Sequence, residues 1–194
     1  MSNEFFLPGL NLDTPSSNEG VYLGIFPRAA DVHRFSNLEI ELRREHGLTG
    51  NPRPTDHRHV TLGWLGPSAI VSEKIIQSFG HACKAAVDLT SPFEIEFDRA
   101  LSFGGGAFVL NKPAGNEALF EFYHRLLSEM VKQRSRFHRE SPKLNPHMTL
   151  LYDKKRIPQH SIEPINWMVG ELALIRSHVG ERKYDWLGRW EFRG

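Results

Sequence analysis

The pattern His-x-Thr-Leu occurs twice in the chain, once in each half, as His59-Val60-Thr61-Leu62 and as His147-Met148-Thr149-Leu150. Of six threonines in all, two therefore stand two places after a histidine and directly before a leucine. Polar and apolar residues that alternate in this way mark a strand with two unlike faces. Side chains on a strand point to opposite sides in turn, so His59 and Thr61 share one face while Val60 and Leu62 share the other. The same holds for His147 and Thr149 against Met148 and Leu150. Each strand anchors itself in a core by one face and offers an imidazole and a hydroxyl on the other. A single His-x-Thr on a strand is usually structural, but a half-exposed strand gives no reason for the pattern to recur in both halves.

The surrounding elements repeat as well, since each motif follows a helix and a proline-containing loop. Residues 1–19 are rich in Asn, Ser, Pro and Gly and read as a loosely held arm. A short apolar strand over Val21–Phe26 is closed by Pro27, and residues 20–194 read as one domain. An amphipathic helix over Ala30–Glu45 places Val32, Phe35, Leu38 and Leu42 on one face, with Gly47 as its stop. A second helix over Val71–Val87 has Ser72 as N-cap and buries Ile75, Phe79, Cys83 and Val87. Phe93–Phe97 alternates apolar and acidic residues, and Gly104–Gly106 turns it into Ala107–Leu110 as a hairpin. A third helix spans Asn116–Arg134, with Leu119, Tyr123, Leu126 and Met130 inward. Strands over His147–Tyr152, Trp167–Ile175 and Tyr184–Phe192 complete the chain, and residues 49–55 read as a loop. This order does not alternate as a doubly wound sheet would, so the expected class is α+β with antiparallel sheets.

Composition narrows the function classes. At 194 residues, 40% apolar and 24% charged, the chain is long enough and mixed enough for an ordinary globular core. Its single cysteine, Cys83, cannot close an internal bridge, which suits a reducing cytoplasm. No apolar run approaches the roughly 18 to 20 residues that span a bilayer, and the first twenty residues lack Lys and Arg, so a membrane or secretory destination is not expected. A formal net charge of +1 argues against a DNA-duplex binder.

If the two halves are related by pseudo-symmetry, the polar faces of the motifs meet across a groove holding two imidazoles and two hydroxyls. Histidine, with an ordinary pKa of about 6.5, can serve as acid or base near neutrality. Each such proton transfer is typically worth about 10² to 10⁴ in rate. Thr61 and Thr149 can donate to phosphoryl oxygens and stabilise transition-state charge. The arrangement fits in-line displacement at phosphorus with no cofactor and no metal.

With these residues in view, the sequence resembles the 2H phosphoesterase superfamily, defined by two His-x-Thr/Ser motifs. Within that superfamily it is most similar to the bacterial 2'-5' RNA ligase family, also described as RNA 2',3'-cyclic phosphodiesterases. The likeness runs from Val21 to Gly194 and includes GLTGNPRPTDHRHVTLGWLG, NPHMTLLY and the ending ELALIRSHVGERKYDWLGRWEF. It implies a bilobal α+β fold with an antiparallel sheet in each lobe, flanking helices and a central cleft. It further implies hydrolysis of RNA 2',3'-cyclic phosphate ends to 2'-phosphates and, in some members, reversible 2'-5' joining. RNA ends or small cyclic nucleotides are then the substrates, and a monomer is the expected state. By position His59 and His147 are the catalytic pair, with His147 taken as base and His59 as acid, and Thr61 and Thr149 as phosphate donors. Many members carry an arginine five residues after the second histidine; here that residue is Tyr152. Tyr152 is thus expected to stack on a base, or the positive charge to come from Lys154, Lys155 or Arg156.

Other features are weighed beside this reading. Residues 132–156 carry eight Lys or Arg against two acids, a stretch that either tracks an RNA backbone or is a solvated loop. Phe26 and Trp64 are more readily core residues than base-stacking faces. His57 and His59 would share a strand face, which opens the alternative of a metal-dependent phosphoesterase, although no further His, Asp or Glu cluster supports it. A non-catalytic module that binds RNA ends is the other alternative.

Overall fold

Strand β1 (Glu19–Pro27) carries an almost unbroken apolar run, and its neighbours explain why. It is hydrogen-bonded on both edges and covered on both faces, with Val21, Leu23 and Ile25 fully buried. A computed structural model describes residues 19–137, 144–178, 181 and 183–193; the expected arm falls outside them but for its last residue, Glu19, which opens β1. Helix α1 (Ala29–His46) follows and stops at Gly47, whose φ of 60° lies in the left-handed region that glycine enters at no steric cost. Strand β2 (Val60–Pro67) leads to helix α2 (Glu73–Asp88), capped by the Ser72 hydroxyl, which accepts the Ile75 N–H at 3.4 Å. Strand β3 (Glu94–Ser102) turns through Gly104–Gly106 into β4 (Ala107–Asn111), the hairpin read from the glycine run. Gly105 and Gly106 have φ of 75° and 85°, which is what this tight turn requires of its residues. Helix α3 (Glu117–Lys132), β5 (His147–Tyr152), β6 (His160–His178) and β7 (Lys183–Glu191) complete the fold.

All strand pairs are antiparallel, in the order β1-β2-β5-β4-β3-β6-β7, with β6 also paired to β1. The two sheets expected from the resemblance are thus two halves of one hydrogen-bonded ladder. The 19-residue β6 belongs to both. Its first part pairs with β3, and its second part with β1 on one edge and β7 on the other. The halves touch again at the pair Val60↔Met148 between β2 and β5. Beyond it the two strands part, and the β5 edge so exposed is taken by the loop before β2, with Pro52 bridged to Leu151.

The apolar faces expected for the helices enter one continuous core, with two differences. Ile75 at the start of α2 is 38% exposed, because the inward stripe begins a turn later at Phe79. On α1 the buried side includes a carboxylate, Glu39, directed at Arg58. Their side chains are 5% and 2% exposed, with Arg58 Nη2 donating to Glu39 Oε2 at 2.5 Å and Nη1 to the Ser36 hydroxyl at 3.0 Å. Burial raises the Glu39 pKa and lowers that of Arg58, each partner opposing the shift in the other. The pair ties α1 to the residue directly before His59. Removing one partner strands a buried charge, so Glu39→Ala should lower stability by about 3 to 5 kcal/mol. A double replacement of Glu39 and Arg58 by apolar residues should recover most of that loss, as measured by urea unfolding.

Candidate active site

The site begins with the contact Val60↔Met148. His59 and Thr61 flank Val60, and His147 and Thr149 flank Met148, on the side away from the core, so the two polar faces meet at this contact, and the charge of His147 acts on His59. Val60 and Leu62, and Met148 and Leu150, are buried on the opposite side, while the four motif polar residues are half-buried.

Each imidazole is held in the same way. His59 Nδ1 lies 2.8 Å from the His57 carbonyl oxygen, and His147 Nδ1 lies 2.8 Å from that of Asn145. A carbonyl only accepts, so Nδ1 carries the proton in both rings and Nε2 is left with its lone pair toward the cleft. Thr61 Oγ1 is 3.1 Å from His59 Nε2. The supports behind the two carbonyls differ. Arg58, locked to Glu39, follows His57, whereas Asn145 Oδ1 accepts from the buried Asn111 amide at 3.0 Å.

Burial and positive charge set the electrostatics. Burial first, then the Arg53 charge, pushes the His59 pKa down to about 3, with smaller effects from His147 and His57. Burial also lowers the His147 pKa, and its hydrogen bond to Asn145 opposes the shift. Both rings are accordingly neutral at pH 7 in the free protein.

Aromatic rings form the walls. Phe26 stacks on His59 at 5.1 Å and is itself buried, so it supports the imidazole instead of offering a face to a base. Phe103 lies 4.9 Å from the His147 ring. Gly24 on β1 makes room for His59: a Cβ there would come within 3.0 Å of the ring. Tyr184 stacks on His57 at 3.9 Å and meets His59 edge-on at 5.9 Å. Burial raises the Tyr184 phenol to about 12 and also raises that of Tyr22, so both remain protonated.

Tyr152 stands at the end of β5, 52% exposed, with the Arg53 guanidinium carbon 5.9 Å from its ring centroid. Sequence reasoning left Arg53, Tyr184, Phe103 and Gly24 out of the site. Only Tyr184 had a signal, as the tyrosine of the last hairpin. The described cations of the basic stretch are all exposed, and three of them are engaged locally. Lys155 bonds to the His46 carbonyl, Arg156 to that of Phe103 and Lys132 to Glu129. Arg139 and Lys143 lie outside the described residues. Trp64 is half-buried beside Gly20. His57 does not share a strand face with His59, because it ends a 3-10 turn over Thr55–His57 and packs against Tyr184. No three His, Cys, Asp or Glu side chains cluster as metal ligands among the described residues.

A model of the 2'-5' RNA ligase superfamily matches residues 27–181, and the chain belongs to that family, whose members are enzymes of phosphodiester chemistry. Its fold is that of the 2H phosphoesterases. Escherichia coli LigT in apo form is 22% identical with a TM-score of 0.62, over 89% of this chain and 96% of that one. The protein TT0787 of Thermus thermophilus is 20% identical with a TM-score of 0.64, over 90% and 98% of the two chains. LigT complexed with 3'-AMP is 20% identical with a TM-score of 0.64, over 91% and 99%. No curated protein sequence matches the chain significantly. Among the described residues no helix is long and apolar enough to cross a membrane.

Gly24→Ala should press on the His59 ring and move it by a few tenths of an ångström. A crystal structure should record the shift, and turnover of a phosphodiester substrate should fall about tenfold, given how steeply rate depends on such placement.

Proposed function

We propose that the chain is a metal-independent RNA 2',3'-cyclic phosphodiesterase that opens the cyclic phosphate at RNA ends, or on small cyclic nucleotides, to a 2'-phosphate. The observation that carries this reading is the pair of imidazoles brought together at Val60↔Met148, each with Nδ1 fixed on a carbonyl and Nε2 turned to the cleft. Such a pair is what in-line displacement needs. Water attacks phosphorus opposite O3', its proton passes to one Nε2, the P–O3' bond breaks, and O3' takes a proton from the other Nε2. The products are a 2'-phosphate and a free 3' hydroxyl. Thr61 and Thr149 donate to the non-bridging oxygens, and Tyr152 packs against the substrate beside them. Run backwards, O3' of the same ribose attacks the 2'-phosphate and water leaves; with a 5' hydroxyl in place of water, the forward displacement forms P–O5' as P–O3' breaks and yields a 2'-5' linkage with a free 3' hydroxyl.

The surroundings of the two rings favour roles opposite to those carried over with the resemblance. Burial and the Arg53 charge push His59 down to about 3, so it enters neutral as base. Burial lowers His147 as well, but without a contribution from Arg53, and we take it as the acid. We further take the protein to act as a cytoplasmic monomer.

Incubation with a short RNA ending in 2',3'-cyclic phosphate should yield a 2'-phosphate. His59→Ala and His147→Ala should each lose at least about 10²-fold in rate, and EDTA should leave the wild type unchanged. Full activity in either variant would sink the two-histidine reading, and rescue of a chelated sample by zinc or manganese would favour a metal-dependent enzyme. Binding of a 2'-phosphate-ended RNA without turnover of the cyclic form would mark a non-catalytic module. The pH profile tests the roles. The reaction needs His59 neutral and His147 protonated, so kcat/KM should fall as pH rises through a value below the ordinary 6.5 of histidine. A limb above that value would contradict the assignment.

A further inference from the structure

Arg53 is held in the cleft by backbone and aromatic contacts, with no counter-ion among the described residues. The loop that carries it is docked on β5. Pro52 bridges Leu151, and the Arg53 N–H donates to the Leu150 carbonyl at 2.7 Å. Upstream, one Asp153 carboxylate oxygen accepts the N–H groups of Thr49 and Gly50 at 2.7 and 2.6 Å. Gly50 lies so close that a Cβ would fall 1.9 Å from the Tyr152 carbonyl oxygen, so only glycine allows the loop to sit there. The side chain is then fixed between two phenols. Its carbon is 5.9 Å from the ring centroids of both Tyr152 and Tyr184, and Nη2 donates to the Tyr184 hydroxyl.

A guanidinium has five N–H donors in a planar fork that matches two phosphoryl oxygens. Arg53 is half-buried, and among the described residues no carboxylate lies within ion-pair distance of it. A partly desolvated cation left uncompensated is costly, and the cost is removed when an anion arrives. We infer that Arg53, steadied by Tyr184, is the anion subsite of this cleft and binds a non-bridging oxygen of the phosphoryl group on which His59 and His147 act. This inference rests on the proposed phosphodiesterase reading for the reaction, but the binding of phosphate itself does not.

The subsite has a consequence for the base. The positive charge of Arg53 holds down the proton affinity of His59 in the empty cleft. A bound phosphoryl group neutralises that charge and adds its own, so His59 becomes a stronger base as substrate binds.

The test uses inorganic phosphate and a 2',3'-cyclic mononucleotide on the full chain, with Arg53→Gln, Arg53→Lys and Tyr184→Phe. Arg53→Gln should weaken phosphate binding about 10- to 100-fold, the range for losing a charge-assisted hydrogen bond, and should lower kcat/KM by a similar factor. Arg53→Lys should keep the charge but not the fork, and fall between the two. Tyr184→Phe should weaken phosphate only about threefold. In NMR titrations without phosphate, the His59 ring should protonate at higher pH in Arg53→Gln and at the wild-type pH in Arg53→Lys, a split that a merely structural arginine would not produce. Phosphate bound by Arg53→Gln within twofold of wild type would overturn the inference. If His59→Ala and His147→Ala turn over normally while Arg53→Gln loses phosphate, the proposed reaction fails and the anion subsite stands.

Discussion

Everything in the cleft depends on one backbone contact, the single pair between Val60 and Met148 where β2 and β5 touch and then separate. Because side chains alternate along a strand, bringing these two buried residues opposite each other necessarily brings their polar neighbours together on the other face. The separation that follows is as important as the contact. It opens the β5 edge beyond Met148, and that unpaired edge recruits Pro52 and Arg53. Convergence of the imidazoles and placement of the cation are therefore two results of one local geometry.

The two histidines are alike in how they are oriented and unlike in the charges that surround them. In both, the carbonyl two residues upstream fixes the tautomer. Behind His59 stands a buried ion pair, and behind His147 a neutral amide pair. Arg53 acts on His59 alone. A pseudo-symmetric scaffold thus yields an asymmetric pair, and acid–base chemistry needs that asymmetry, since two identical imidazoles would compete for one proton.

The motif residues were legible in the sequence because alternation along a strand is a local rule, and the three helices because their apolar spacing is. The hairpin glycines and the stops at Gly47 and Pro27 were legible for the same reason. What escaped was set by packing between distant segments. β6 looked like a strand starting at Trp167, because Glu163 and Pro164 break the pattern upstream. In the fold Pro164 sits at an irregularity between Phe97↔Ile165 and Arg99↔Ser161, where a missing N–H costs no ladder bond. Arg53 read as part of a Pro- and Gly-rich loop because its role exists only once Asp153 clips that loop to β5. The burial of Glu39 has no local signal, since nothing near it in the chain announces Arg58. His57 was placed on a strand that in fact begins at Val60.

Strand β6 sets the mechanical character of the cleft. One run of 19 residues is hydrogen-bonded into both halves, so the halves are not separate bodies on a flexible linker. Spreading them apart would mean bending that strand against its own ladder, whose irregularities fall around Pro164, between Val169 and Glu171, and between Leu174 and Ile175. The spacing of the two imidazoles is then governed by a stiff beam, and adaptation to different substrates falls to side chains such as Tyr152 at the rim. A groove of this kind takes a ligand by fit on arrival, in the manner of a fixed gauge, rather than by closing around it.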